Sequence, residues 1–179
     1  MALASNLNFF SKSLINARDL RSCIEFGANV GINLKALKLL YPNIEPQAIE
    51  INADAVKQLS EIVSSPSIHH KSILEFEAES TCDLSLIKGV LIHINPDELP
   101  QVYDKLVAST HRYLLVAEYY NPTPVNITYR GHADRLFKRD FAGEIMERYP
   151  QLKLIDYGFV YHKDHSFPQD DLTWFLLEK

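Results

Sequence analysis

Two carboxylates and a pair of glycines carry the most specific chemical signal in this chain. In Cys23-Ile24-Glu25-Phe26-Gly27-Ala28-Asn29-Val30-Gly31 a short apolar strand runs into a tight turn and then into the first turn of a helix. Glycine at 27 and 31 lets the backbone approach a ligand closely and lets helix and strand pack without an intervening Cβ. The free N–H groups of the helix start face the same spot. The charge at the turn decides what kind of ligand suits it. A pyrophosphate would sit badly beside Glu25, which lies two residues before the first glycine, whereas a ligand bearing an ammonium and a sulfonium would be favoured by it. The spacing Glu25-x-Gly27-x-x-x-Gly31 also departs from the dinucleotide pattern G-x-G-x-x-G, because Asn29 stands at the middle glycine.

The second carboxylate, Glu50, ends the run Gln47-Ala48-Ile49-Glu50-Ile51, nineteen residues beyond Gly31. An acid at that distance, at the end of a second strand, is placed to accept from two ribose hydroxyls, with Ile51 beside an adenine face. The competing reading is a solvated charge at a strand end. Lys88 and Gly89 follow a fourth strand, where open α/β sheets hold ligands outside the strand C-termini. His93 is next, either as a neutral imidazole able to take a proton or as a packed histidine. Beyond the fifth strand, Glu118-Tyr119-Tyr120-Asn121 and Tyr129-Arg130-Gly131-His132-Ala133-Asp134-Arg135 gather aromatic, amide, basic and acidic groups. His93, Glu118 and Tyr119 are the candidates for catalysis, and Tyr120, Asn121, Arg130, His132 and Arg135 for substrate binding. The alternative for Arg130 is a pair with Asp134 that only holds the loop. His69-His70 and His162-x-x-His165 lack further ligands at a metal-binding spacing, so no metal is expected.

These residues need a scaffold. Apolar spacing predicts a helix within Leu3 to Leu20, the strand of the glycine turn, a helix over Val30 to Leu40 stopped by Tyr41-Pro42-Asn43, and the strand Gln47 to Ile51. Asn52 would cap a helix over Ala53 to Val63. Ser67 to Lys71 and Asp83 to Ile87 read as strands three and four. Asn95-Pro96 opens a helix reaching Ser109, with Asp97 and Glu98 near its positive end. Tyr113 to Glu118 is a fifth strand, Tyr119 to Leu136 a long loop, and Asp140 the cap of a helix running to Tyr149. Leu152 to Tyr161 and Leu172 to Glu178 should close the chain as an antiparallel hairpin. Alternating strands and helices imply an α/β sheet with right-handed crossovers.

At 179 residues the chain fits a single domain, 1–179. A net charge of −5 with mixed signs gives no electrostatic reason to expect a nucleic acid or an anionic membrane as partner. Cys23 and Cys82 read as buried free thiols, which points to a reducing compartment, and with neither a signal peptide nor a spanning segment in sight the cytoplasm is expected.

The acidic glycine turn, the acid after strand two and the final antiparallel strand together resemble the class I S-adenosylmethionine-dependent methyltransferases. That resemblance implies a Rossmann-like, mostly parallel seven-stranded sheet with an antiparallel C-terminal hairpin and helices on both faces. The implied cofactor is S-adenosylmethionine, held by Glu25, Gly27, Ala28, Asn29, Gly31, Glu50, Ile51, Lys88 and Gly89. Ser72-Ile73-Leu74 would border the adenine, although the aspartate common there is absent and Ser72 and Glu75 are both open as substitutes. More narrowly, Ile24 to Gly31, Ala48 to Asn52, Lys88 to Ile94, Glu118 to Pro122 and Leu136 to Gly143 resemble the bacterial pseudaminic acid biosynthesis-associated methylases. The substrate class this implies is a sugar or nonulosonic-acid precursor. Members of that group begin with an aromatic, acidic, glycine-containing segment; Met1-Ala2-Leu3 lacks it, which implies a more open donor pocket. The implied activity is methyl transfer to oxygen or nitrogen of a small molecule. A donor-binding module without turnover, acting through a partner, is the rival from another class, and an NAD-dependent oxidoreductase ranks behind both.

Overall fold

The computed structural model describes residues 2–129 and 132–179, with side chains for all of these except 126–136. The chain runs α1 (Ala2–Ser13), β1 (Ser22–Phe26), α2 (Ile32–Leu40), β2 (Glu45–Glu50), α3 (Ala53–Leu59), β3 (Ile68–His70), β4 (Cys82–Lys88), α4 (Leu99–Ser109) and β5 (Thr110–Glu118). It continues through β6 (Val125–Tyr129), β7 (His132–Lys138), α5 (Phe141–Arg148), β8 (Lys153–Val160) and β9 (Leu172–Glu178). Seven strands form one sheet in the order β3-β2-β1-β4-β5-β9-β8. Its first five strands are parallel; β9 runs antiparallel to both β5 and β8.

Period-two alternation in the central strands builds a core on each face of the sheet. Along β5, Tyr113, Leu115 and Ala117 join one core while Leu114 and Val116 join the other. The first core packs under α1, α2 and α3 through Phe9, Phe10, Leu34, Leu37 and Leu59, and the second under α4 and α5 through Val102, Leu106, Phe141 and Ile145. Each apolar stripe is thus used against a sheet face, and the strand ends are left to carry chemistry.

Local signals set the helix starts. The Asn52 side chain accepts from the backbone N–H groups of Asp54 and Ala55, at 2.9 and 3.1 Å, and so caps α3. Asp140 caps α5 by accepting from Gly143 N–H at 2.8 Å. α1 and α3 stop short of the apolar stripes that suggested them, at Ser13 and Leu59, and a 3-10 turn over Pro96–Glu98 precedes α4. None of the described helices is long and apolar enough to cross a membrane.

The stretch expected as a long loop, Tyr119 to Leu136, contains most of a β-hairpin. β6 and β7 pair antiparallel, with Val125 opposite Lys138 and Ile127 opposite Leu136, and β7 lies against the turn Leu91–His93. Pro122 and Pro124 punctuate only its approach. The Val, Ile, Thr and Tyr residues that follow are strand formers, and they find a partner strand without a helix between.

Candidate active site

A cavity of about 600 Å³ opens at the C-terminal ends of β1, β2 and β4. That volume lies within the size range of small-molecule sites. The turn after β1 forms its floor. Gly27 (φ 76°), Asn29 (φ 48°) and Gly31 (φ 79°) all adopt left-handed backbone. Glycine and asparagine tolerate that region best. The N–H groups of Gly27 and Ala28 both donate to the Ile49 carbonyl, at 2.9 and 3.0 Å, tying the turn to the end of β2. A Cβ on Gly27 would lie 2.8 Å from Val90 Cγ2, so this glycine admits the close approach of the β4 end. Gly31 has a different duty. A Cβ there would lie 2.6 Å from Leu59 Cδ1, so it lets α2 begin against α3, and it does not line the cavity.

Glu50 stands in the cavity wall, 8 % exposed. Its Oε2 accepts from Asn29 N–H and its Oε1 from Asn52 N–H, each at 2.7 Å. Those bonds pin both oxygens, and a carboxylate keeps further lone pairs for a ligand's hydroxyls. Glu25 lies deeper, 1 % exposed and outside the lining. It accepts from Asn33 Nδ2 at 2.6 Å, while its second oxygen is buried without a partner. Burial pushes its carboxyl up to about 8 against the opposing pull of Asn33 and Lys88, so it is largely protonated at neutral pH. Its influence reaches the cavity through Asn33, which does line it and whose own Oδ1 is buried and unpartnered.

Ala28, Ile51, Ser72, Ile73, Leu74, Gly89 and His93 also line the cavity. Ser72 is at the wall and Glu75 is not; the Glu75 carboxylate turns back to accept from Ser72 N–H at 3.4 Å. Lys88 projects towards α1, donating to Asn6 Oδ1 at 3.3 Å, with its ammonium 5.3 Å from the centre of the Phe9 ring. Burial lowers its pKa, opposed by Glu25, Asp170 and Glu118. His93 sits on the short 3-10 turn Leu91–His93.

Glu118 and the residues after it occupy other positions. Glu118 is 3 % exposed and absent from the lining, and its Oε1 accepts from Val90 and Leu91 N–H, both at 2.8 Å. It therefore holds the turn that carries His93. Burial raises its pKa to about 7 despite those donors. Tyr119 packs against the second core with the Lys138 ammonium 5.1 Å from its ring centre. Tyr120 meets Phe175 at a tilt of 49°, ring centres 6.0 Å apart, and Asn121 ties its own loop by donating to the Thr123 carbonyl. None of these three lines the cavity. Arg130 lies outside the described residues; His132 and Arg135 belong to β7, and their side chains are likewise outside the description.

The remaining lining includes residues that motif reading does not single out, among them Asn6, Asn33, Lys71, Val90 and Ile94. Asn52, read from the sequence as a helix cap, is at the wall as well. Asn6 is brought in by α1 from 82 positions away. Among the described residues no group of three or more His, Cys, Asp or Glu is arranged to hold a metal ion. His162 is paired with Asp171 at 2.8 Å and His69 with Gln47 at 3.2 Å. Cys23 and Cys82 are both free and buried.

The sheet order, the antiparallel last strands and the glycine turn define the Rossmann-like fold of the class I methyltransferases. No family model and no curated sequence matches the chain. Solved structures do. A 1,6-didemethyltoxoflavin-N1-methyltransferase from Burkholderia thailandensis, solved with S-adenosylhomocysteine, superimposes with a TM-score of 0.72 at 14 % identity, over 99 % of this chain and 78 % of that one. An S-adenosylmethionine-dependent methyltransferase from Leishmania major gives 0.71 at 13 % identity, over 98 % and 70 %. An N-methyltransferase from Bradyrhizobium japonicum, also with S-adenosylhomocysteine, gives 0.70 at 14 % identity, over 97 % and 85 %.

Proposed function

We propose that this chain is an S-adenosylmethionine-dependent methyltransferase acting on oxygen or nitrogen of a small molecule. The observation that carries the reading is the pairing, in one cavity, of an anchored acid at the ribose position with an orphaned amide oxygen near the glycine turn. Glu50 is held rigid by two backbone donors and keeps lone pairs for vicinal hydroxyls. Asn33 Oδ1, buried and lacking any partner, fits an ammonium, and the Glu25 carboxyl that accepts from the same amide would ionise more readily once that positive charge is bound. Ile51, Ile73 and Leu74 offer the apolar walls an adenine needs, with Ser72 at their edge. The backbone of Lys88 and Gly89 would meet the methionyl part. The structures with this fold that carry S-adenosylhomocysteine support the same choice of cofactor.

When bound, the cofactor supplies an electrophilic methyl group on a sulfonium whose departure leaves a neutral thioether. The protein's part is alignment, through a turn fixed to β2 and a β4 end fixed by Glu118, so most of the rate gain comes from proximity and orientation. His93, on the turn that Glu118 holds, is a group at the cavity able to accept a proton from the methyl acceptor. Of the residues the sequence offers for the acceptor, Tyr119, Tyr120 and Asn121 lie outside the cavity wall, and the side chains of Arg130, His132 and Arg135 lie outside the description. The finer reading of the acceptor as a sugar or nonulosonic-acid precursor rests on motif resemblance.

Calorimetric titration with S-adenosylmethionine, S-adenosylhomocysteine and NAD tests the cofactor class. Binding of the first two and not the third is expected. Glu50→Gln is expected to weaken donor binding at least tenfold, and an unchanged affinity would remove the ribose assignment. Transfer of labelled methyl to small-molecule pools then separates an enzyme from a binding module.

A further inference from the structure

A second hollow of about 460 Å³ adjoins the larger cavity. One wall is the start of α1, with Ala2 and Asn6; the other is the segment joining β8 to β9, with His162, Gln169 and Asp170. Gln169 Nε2 donates to the Ser5 carbonyl at 2.7 Å and so ties the two walls together. Asn6 and Lys88 line both hollows, which makes Lys88 the partition between them.

Lys88 is a charge held mostly out of water without a counter-ion at contact. None of the ion pairs among the described residues includes it. An ammonium carries three donors. The Asn6 amide oxygen takes one of them, and the Phe9 ring adds only a face at 5.3 Å. An ammonium so placed is costly to hold until an oxyanion completes its shell. On the side of the second hollow the remaining polar groups differ in kind. Asp170 can accept, and His162 is already engaged by Asp171 at 2.8 Å.

We infer that the second hollow is the acceptor site, and that it takes a small polar molecule whose carboxylate or phosphate pairs with Lys88 while its hydroxyl or amine faces the larger cavity. The inference rests on reading the larger cavity as the donor site. The two ligands would then meet at Lys88 and Asn6. Its lining comes from α1, the end of β4 and the β8–β9 segment, with no described residue of the β6–β7 hairpin.

The test uses the full chain saturated with S-adenosylhomocysteine and titrated with malonate, inorganic phosphate and glycerol, with binding read by ligand-observed NMR. At least one anion is expected to bind and glycerol is not; which anion binds separates a carboxylate from a phosphate acceptor. Ala2→Trp fills the second hollow from an exposed position that does not line the larger cavity. It is expected to weaken anion binding more than tenfold while S-adenosylhomocysteine affinity stays within twofold. Lys88→Met should abolish anion binding and Lys88→Arg should retain part of it. Absence of anion binding, or anion binding indifferent to Ala2→Trp, overturns the acceptor assignment alone. Failure of the unaltered chain to bind S-adenosylhomocysteine overturns the donor reading instead.

Discussion

Glu25 and Glu118 show how burial changes what a carboxylate can do. Both have an oxygen that is buried and unpartnered, and burial raises their pKa values to about 8 and about 7. An acid whose folded pKa lies above its unfolded value is protonated in the native chain after it has ionised in the unfolded one. Its contribution to stability is therefore full below about pH 4.5 and is lost as pH rises through the folded value. The ligand-free protein should lose a few kcal/mol of stability between roughly pH 5 and 8, in the order of magnitude that such shifts carry. Thermal melts across that range should show the slope, and Glu25→Gln should flatten it; a slope unchanged in that variant would place its origin elsewhere. A cationic ligand favours the ionised form, so S-adenosylmethionine affinity should rise over the same interval. His93→Ala should lower the rate of methyl transfer about 10²-fold or more if the imidazole takes the proton, with the pH dependence of the rate altered. An unaltered pH profile would leave it only a wall residue.

At the scale of elements, the pairing of β8 with β9 depends on one missing side chain. A Cβ on Gly158 would lie 2.6 Å from the Trp174 ring, which packs across β8 from β9. Gly158→Ala should cost about 1–3 kcal/mol as an overpacking substitution. Trp174 is the single tryptophan, so its fluorescence should shift as the ring is displaced, and an unchanged spectrum and melting temperature would mean that the added methyl is accommodated without moving the ring. Legibility also varied by element. Strands and helices with local signals, such as the cap at Asn52 or the stop at Tyr41-Pro42-Asn43, were readable because neighbouring residues alone satisfy their backbone groups. The β6–β7 hairpin was not readable, because its strands are stabilised by each other and by the turn at Leu91–His93, a contact no local window contains.

The whole molecule is a sheet sealed by two cores, with α1 closing one of them. Phe10 is fully buried there beneath the helix. Phe10→Ala should destabilise the protein by about 3–5 kcal/mol in a single cooperative transition, measurable by denaturant unfolding. A loss confined to α1, with the rest melting as before, would show instead that the helix is only docked. The same helix delivers Asn6 to Lys88, so its packing and the geometry of both hollows stand or fall together. By itself the sequence determined the order of elements apart from the β6–β7 hairpin, the glycine turn and the presence of an acid at the end of β2, because each follows from residues a few positions apart. Only tertiary structure decided that Glu25 lies behind Asn33 rather than at the wall, that Glu118 holds a turn, and that α1 and the β8–β9 segment enclose a second hollow. Those facts depend on which distant side chains desolvate one another, and that is settled by packing across the sheet rather than by spacing along the chain.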